Sequence, residues 1–174
     1  MISFVSLIIQ VTIQRCDDAG LRFLGLTTNY NKDFAHLTGL ERMRYFKEHA
    51  EERFGMAKFL DYRVGQIERG KVELRYEPDA EHVNLLSTIH GGVLASLLDT
   101  VMGCALITML DAGERHTIID LHTKFVRPVS LETRPLKVRG IVDHRGRRQC
   151  TMSGKIIAPD NKLCATGLAT AMIL

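Results

Sequence analysis

Asn84-Leu85-Leu86-Ser87-Thr88-Ile89-His90-Gly91-Gly92-Val93-Leu94-Ala95-Ser96-Leu97-Leu98-Asp99 is the stretch on which the reading of this chain turns. Two adjacent glycines permit a tight turn and bring bare backbone N–H groups close to whatever binds there. The apolar run that follows is helical in pattern from Gly92 to about Leu110, so the glycines sit at a helix start. Amides at such an end lack intrahelical partners and face the positive pole of the helix dipole. That arrangement can hold a developing oxyanion. Asp99 is the single charged residue between Val93 and Leu110. Burying a carboxylate without a partner is costly or shifts its pKa, so its presence here points to chemistry. A carbonyl-polarising helix end and a general base are thus carried by one helix.

The faces of that helix differ. Val93, Leu94, Leu97, Leu98, Val101, Met102, Ala105, Met109 and Leu110 form a broad apolar band. At about 100° per residue, Asp99 lies about 140° from the middle of the band, with Ala95, Ser96 and Gly103 on its side. The spacing predicts a face lined by small residues, open to close approach by a second subunit. Downstream, after the turn at Asp111-Ala112-Gly113-Glu114, four runs alternate as strands: 116–126, 134–143, 148–158 and 162–172. Pro128, Arg145-Gly146-Arg147 and Pro159-Asp160-Asn161 separate them. Upstream, Thr38 and Glu41 form a capping-box pattern opening a helix whose apolar residues recur to Phe54, predicting an end near Gly55. The run 58–77 alternates around Gly70 and predicts a hairpin. The plan is α+β: an antiparallel sheet wrapped around one long apolar helix.

From Asn84 to Val129 the chain resembles the PaaI-type acyl-CoA thioesterases of the hotdog superfamily. The residues that carry the resemblance are Asn84, His90-Gly91-Gly92, Leu97-Leu98-Asp99-Thr100, and the strand series ending at Phe125-Val126-Arg127-Pro128. Followed through His144-Arg145-Gly146 to Ala165-Thr166-Gly167, the resemblance covers about the last two thirds of the chain. It implies a hotdog domain over 38–174, with 1–37 as an extension of uncertain structure. The implied reaction is hydrolysis of an acyl-CoA to the free acid and coenzyme A. In this reading the Gly92 N–H polarises the thioester carbonyl. Asp99 acts as general base on water or attacks directly as nucleophile, two routes left open. Asn84 orients water or carbonyl, or else makes only a local turn; His90 contacts the thioester region, or braces its loop. Gly91 lies against substrate, while Arg127, Arg145, Arg147 and Arg148 are the candidates for coenzyme A phosphates, since guanidinium forks suit phosphate oxygens. The resemblance also implies a homodimer or homotetramer whose active sites are shared between subunits.

Other classes find little support. The net charge is +3, there is no Trp, and aromatic residues are 6% of 174, so nucleic acid is not an expected partner. Cys16, Cys104, Cys150 and Cys164 show no zinc-ligand spacing, nor do His82, His116, His122 and His144; no metal and no cofactor are expected. The apolar run 93–110 is interrupted by Asp99 and lacks flanking basic clusters, which argues against membrane insertion. Ile2 to Ile13 has no preceding Lys or Arg and no small-residue cleavage site after it, a poor secretory signal. The expected location is the cytoplasm. The rival functions are a non-catalytic acyl-CoA sensing domain on the same fold, a hotdog dehydratase, and a thioesterase acting on acyl-carrier protein.

Overall fold

A computed structural model describes residues 34–174. Residues 1–33 of the segment assigned to an extension, and Cys16 among them, lie outside the described residues. Three helices are described: α1 (Gly39–Glu48), α2 (Gly55–Leu60) and α3 (Gly91–Ile107). Six strands accompany them: β1 (Arg63–Glu68), β2 (Lys71–Tyr76), β3 (His116–Phe125), β4 (Leu136–Arg145), β5 (Gln149–Ile157) and β6 (Leu163–Ile173). Every pairing is antiparallel, and the strands lie in the order β1-β2-β4-β5-β6-β3. The β1–β2 hairpin turns at Gly70, at φ 75°. This is the hotdog architecture, and α3 is the helix within it.

The capping box forms: Thr38 accepts from the Glu41 N–H, and Glu41 accepts from the Thr38 N–H at 2.8 Å. The helix it opens stops at Glu48 rather than near Gly55. Residues 49–53 supply no large apolar side chain to bury, so a further turn would gain nothing from the core. A 3₁₀ turn (Ala50–Glu52) follows, then Phe54 with extended backbone, then the short α2, which occupies part of the segment read as alternating.

The sheet and α3 meet at a row of glycines. Gly140, Gly154 and Gly167 are register partners across β4, β5 and β6. A Cβ on Gly140 would lie 2.4 Å from the Val101 carbonyl oxygen, and one on Gly154 would lie 3.0 Å from Leu98 Cδ2. The missing side chains let α3 sink into the sheet, and Leu97, Leu98, Val101 and Met102 are fully buried there. Opposite that seam, Gly92, Ser96, Asp99 and Gly103 share one helix face. The C-terminal end of this face is covered, since a Cβ on Gly103 would meet His116 Nε2 at 3.3 Å. Its N-terminal half, including Gly92 and Asp99, stays open to solvent. Strand β3 is the last of the sheet and pairs only with β6 among the described residues, leaving a free edge on which Ile119 is 46% exposed.

Candidate active site

The helix start is built by its own cap. His90 has extended backbone (φ −60°, ψ 137°), and its Nδ1 accepts the Gly92 N–H at 2.9 Å. Val93 N–H and Leu94 N–H both donate to the His90 carbonyl, at 2.9 and 3.3 Å. Gly91 N–H is left without a partner among the described residues. The donor free to polarise a carbonyl is therefore Gly91, one residue before the amide singled out from sequence. A Cβ on Gly91 would stand 3.2 Å from the half-exposed Phe125 ring, which would have to give way by a few tenths of an ångström.

The loop before the helix is closed upon itself. Asn84 Oδ1 accepts from Leu86 N–H at 2.9 Å and Thr88 N–H at 3.2 Å, while Asn84 Nδ2 donates to Thr88 Oγ1 at 3.0 Å. Of the two roles open to Asn84, this geometry matches the local turn, which holds the 84–88 loop in shape. At the loop tip, Leu85 and Leu86 are more than four-fifths exposed. At its base, His82 C=O accepts His90 N–H at 2.8 Å, and Val83 bridges Ile89.

Asp99 has no hydrogen-bond or ion-pair partner among the described residues, and partial burial alone raises its pKa above the ordinary carboxylate value. A carboxylate in that state is a better proton acceptor than a free one. It lies eight residues after Gly91, about 12 Å further along the helix axis.

The arginines divide between two ends of the sheet. Arg127 N–H donates to Cys164 O at the start of β6, while Arg148 O accepts from Ile173 N–H at its end. Nine residues of strand separate those partners, about 30 Å, so one chain cannot gather both at a single phosphate. Arg127 lies at the Gly91 end, lining an open cleft of about 400 Å³ with Lys162, Glu132 and Asp160. Arg147 and Arg148 are exposed at the other end. Arg145 is turned inward, with Nη2 2.6 Å from Glu114 Oε2 and less than a third of each side chain exposed. That ion pair occupies it. Near it, burial pushes the His116 imidazole down to about 4, with the Arg42 charge adding to the effect. Among the described residues no three His, Cys, Asp or Glu side chains converge as metal ligands, and no helix is long and apolar enough to cross a membrane.

Sequence reasoning passed over two side chains that the fold brings to the site. Tyr76 and His82 are buried beneath the loop and bonded to one another, at 2.7 Å. Only His82, two residues before Asn84, gave a signal: a polar residue in an otherwise ordinary loop.

Sheet order and embedded helix define a hotdog domain, whose helix opens at a His-Gly-Gly turn. Residues 86–165 match the family model described as "Thioesterase superfamily", and the chain resembles the PaaI type of that superfamily. A protein of Saccharolobus solfataricus that carries the name of an esterase is 27% identical over 117 residues, covering 67% of this chain and 81% of its own. The E. coli PaaI protein from the phenylacetic acid degradation operon superposes with a TM-score of 0.68 at 22% identity, covering 78% of this chain and 96% of its own. A phenylacetic acid degradation-related protein of Ralstonia eutropha gives 0.66 at 25% identity, covering 78% and 99%. Thioester hydrolysis is the general chemistry of this group.

Proposed function

We propose that the protein hydrolyses an acyl-CoA to the free carboxylic acid and coenzyme A, at sites shared between two copies of the chain. The observation that carries this reading is a free donor and an unpartnered carboxylate on one helix, Gly91 N–H and Asp99. The thiolate leaves without a strong general acid, because thiol pKa values lie near about 8.5. What remains is to stabilise the oxyanion, the part given to Gly91 N–H, and to activate the attacking group, the part given to Asp99. His90 holds the Gly92 amide and so shapes the helix start instead of acting as the base.

Two copies are required by length. Donor and base must both reach one thioester, within about 6–8 Å of each other, whereas the helix sets them about 12 Å apart. A second chain running antiparallel would set its Asp99 beside this chain's Gly91, and the reverse. The free edge of β3 offers the isologous contact, and the exposed Ile119, Phe125 and Val126 lie on or beside it. Arg127, at the Gly91 end, is the arginine that we assign to coenzyme A phosphate. The location assigned is the cytoplasm, in keeping with the unpaired thiols of Cys104, Cys150 and Cys164.

The test is thiol release from short, medium, long and aromatic acyl-CoAs by wild type and by folded Asp99→Ala. A fall of about a hundredfold or more in the variant supports Asp99 as base or nucleophile. Saturable acyl-CoA binding without turnover in the wild type would favour a sensing domain. Turnover confined to acyl-carrier-protein thioesters would move the substrate and keep the chemistry.

A further inference from the structure

We propose that the buried Tyr76–His82 pair is a positioning device that sets the Gly91 N–H for the thioester oxygen. This rests on the hydrolytic reading above and adds two residues to it. His82 is 5% exposed and Tyr76 fully buried, with the Tyr76 hydroxyl 2.7 Å from His82 Nδ1. Burial holds the Tyr76 phenol up to about 12, so at neutral pH the hydroxyl keeps its proton and is able to donate a hydrogen bond to the ring nitrogen. The Phe59 ring closes on His82 edge to face, with centroids 4.5 Å apart.

The ring is thus fixed from the core, and the main chain of the same residue carries that fixity outward. Its backbone stands in a 3₁₀ turn (Ala80–His82) capped by Asp79, whose carboxylate accepts the Glu81 N–H at 2.8 Å. The His82 carbonyl accepts the His90 N–H at 2.8 Å, and the residue after His90 is Gly91. Beyond this base the loop is tied to the rest of the fold through Ile89 N–H, which donates to Val129 O at 2.8 Å. Among the described residues its tip is bonded only to itself, through Asn84 and Thr88. Tyr76, at the end of β2, is therefore linked to the free amide through three steps: hydroxyl to ring, carbonyl to His90 amide, peptide to Gly91. An oxyanion donor works over a few tenths of an ångström, and a misplacement of about 1 Å can cost about a hundredfold in rate.

The experiment compares Tyr76→Phe, His82→Leu and His82→Asn with wild type, reading kcat, KM, Tm and amide exchange at His90. Asparagine places an acceptor oxygen near the position of Nδ1 and is the rescuing variant. The expected result is kcat lowered about tenfold or more in Tyr76→Phe and His82→Leu, with KM within about twofold and most of kcat kept in His82→Asn. A purely structural pair would instead lower Tm and leave kcat per folded molecule intact, and that pattern overturns the proposal. If wild type releases no thiol, the hydrolytic reading falls by itself, and His90 exchange decides the positioning. Faster exchange in Tyr76→Phe and His82→Leu but not in His82→Asn supports it; equal exchange in all four proteins overturns it.

Discussion

His90 Nδ1 accepts the Gly92 N–H at 2.9 Å, and in doing so leaves Gly91 with the one uncommitted amide of the first helical turn among the described residues. Proline at that position removes the N–H while its fixed φ suits a first helical residue, and the extended His90 backbone suits a residue before proline. Gly91→Pro is expected to keep the helix, with the half-exposed Phe125 ring turning aside from the new Cβ, and to lose about 10²–10³ in kcat. Steady-state kinetics beside a far-UV spectrum makes the comparison. Full activity in a folded Gly91→Pro protein would transfer the donor role elsewhere.

If each site takes its amide from one chain and its carboxylate from the other, two dead proteins should repair each other. Mixed and reassembled in equal amounts, Gly91→Pro and Asp99→Ala chains form heterodimers holding one intact site and one doubly damaged site. Specific activity is expected to return to about a quarter of wild type. Activity that stays at the level of the separate variants after reassembly would show that each chain works alone.

Burial raises the Asp99 pKa, so the folded state holds the neutral carboxyl more readily than the unfolded chain does. The stability this gives is present at low pH and is lost as pH rises through the raised value. At neutral pH the charge therefore counts against the fold. Asp99→Asn is expected to raise Tm at pH 7 by about 1–3 °C while lowering turnover by about a hundredfold. The same shift places the acid limb of wild-type kcat/KM above the ordinary carboxylate range. A melting temperature lowered by the substitution would contradict this account.

His116 carries the opposite sign. Its folded pKa of about 4 lies below the unfolded value near 6.5, so its contribution is complete above about 6.5 and is lost as pH falls toward 4. The loss is expected to be on the order of 2–3 kcal/mol between those limits. Urea titrations at pH 7 and pH 4.5 should show His116→Gln less sensitive to acid than wild type. Equal sensitivity would assign the acid transition to other groups.

The glycine row should rank by what each new methyl would strike. At Gly140 the obstacle is the Val101 backbone at 2.4 Å, whereas at Gly167 it is the Met102 methyl at 3.2 Å, the end of a flexible side chain. Gly140→Ala is expected to cost about 3 kcal/mol or more and Gly167→Ala about 1–2. Denaturant midpoints measure both. Equal costs would mean that α3 shifts freely over the sheet.

Much of this fold is legible in the sequence because its signals are local and periodic. The four strands after α3 fall within two residues of their alternating runs, and the long helix begins one residue before Gly92. The helix opened by Thr38 is misjudged because Phe54 continues an apolar count across a gap at residues 49–53 that supplies nothing to bury. Of the site, the Asp99 face and the glycine turn can be read from spacing. That His90 takes the Gly92 amide, that Arg145 folds onto Glu114, and that Arg127 stands far from Arg148 depend on χ angles and strand register. Spacing along a chain does not encode these. The Tyr76–His82 pair is less visible still, since its partners only meet when β2 packs beneath the loop.

The groove made by Gly140, Gly154 and Gly167 has a consequence for variation as well as for stability. It fixes the axial setting of α3 from beneath, through Leu98, Val101 and Met102, none of which faces the open side. Residues on that side, such as Ala95, Ser96 and Thr100, can therefore be exchanged without re-seating the helix or altering the reach from Gly91 to a partner's Asp99. Descendants of this sequence, natural or engineered, have a way to change what the cleft admits while the reacting geometry is inherited unchanged.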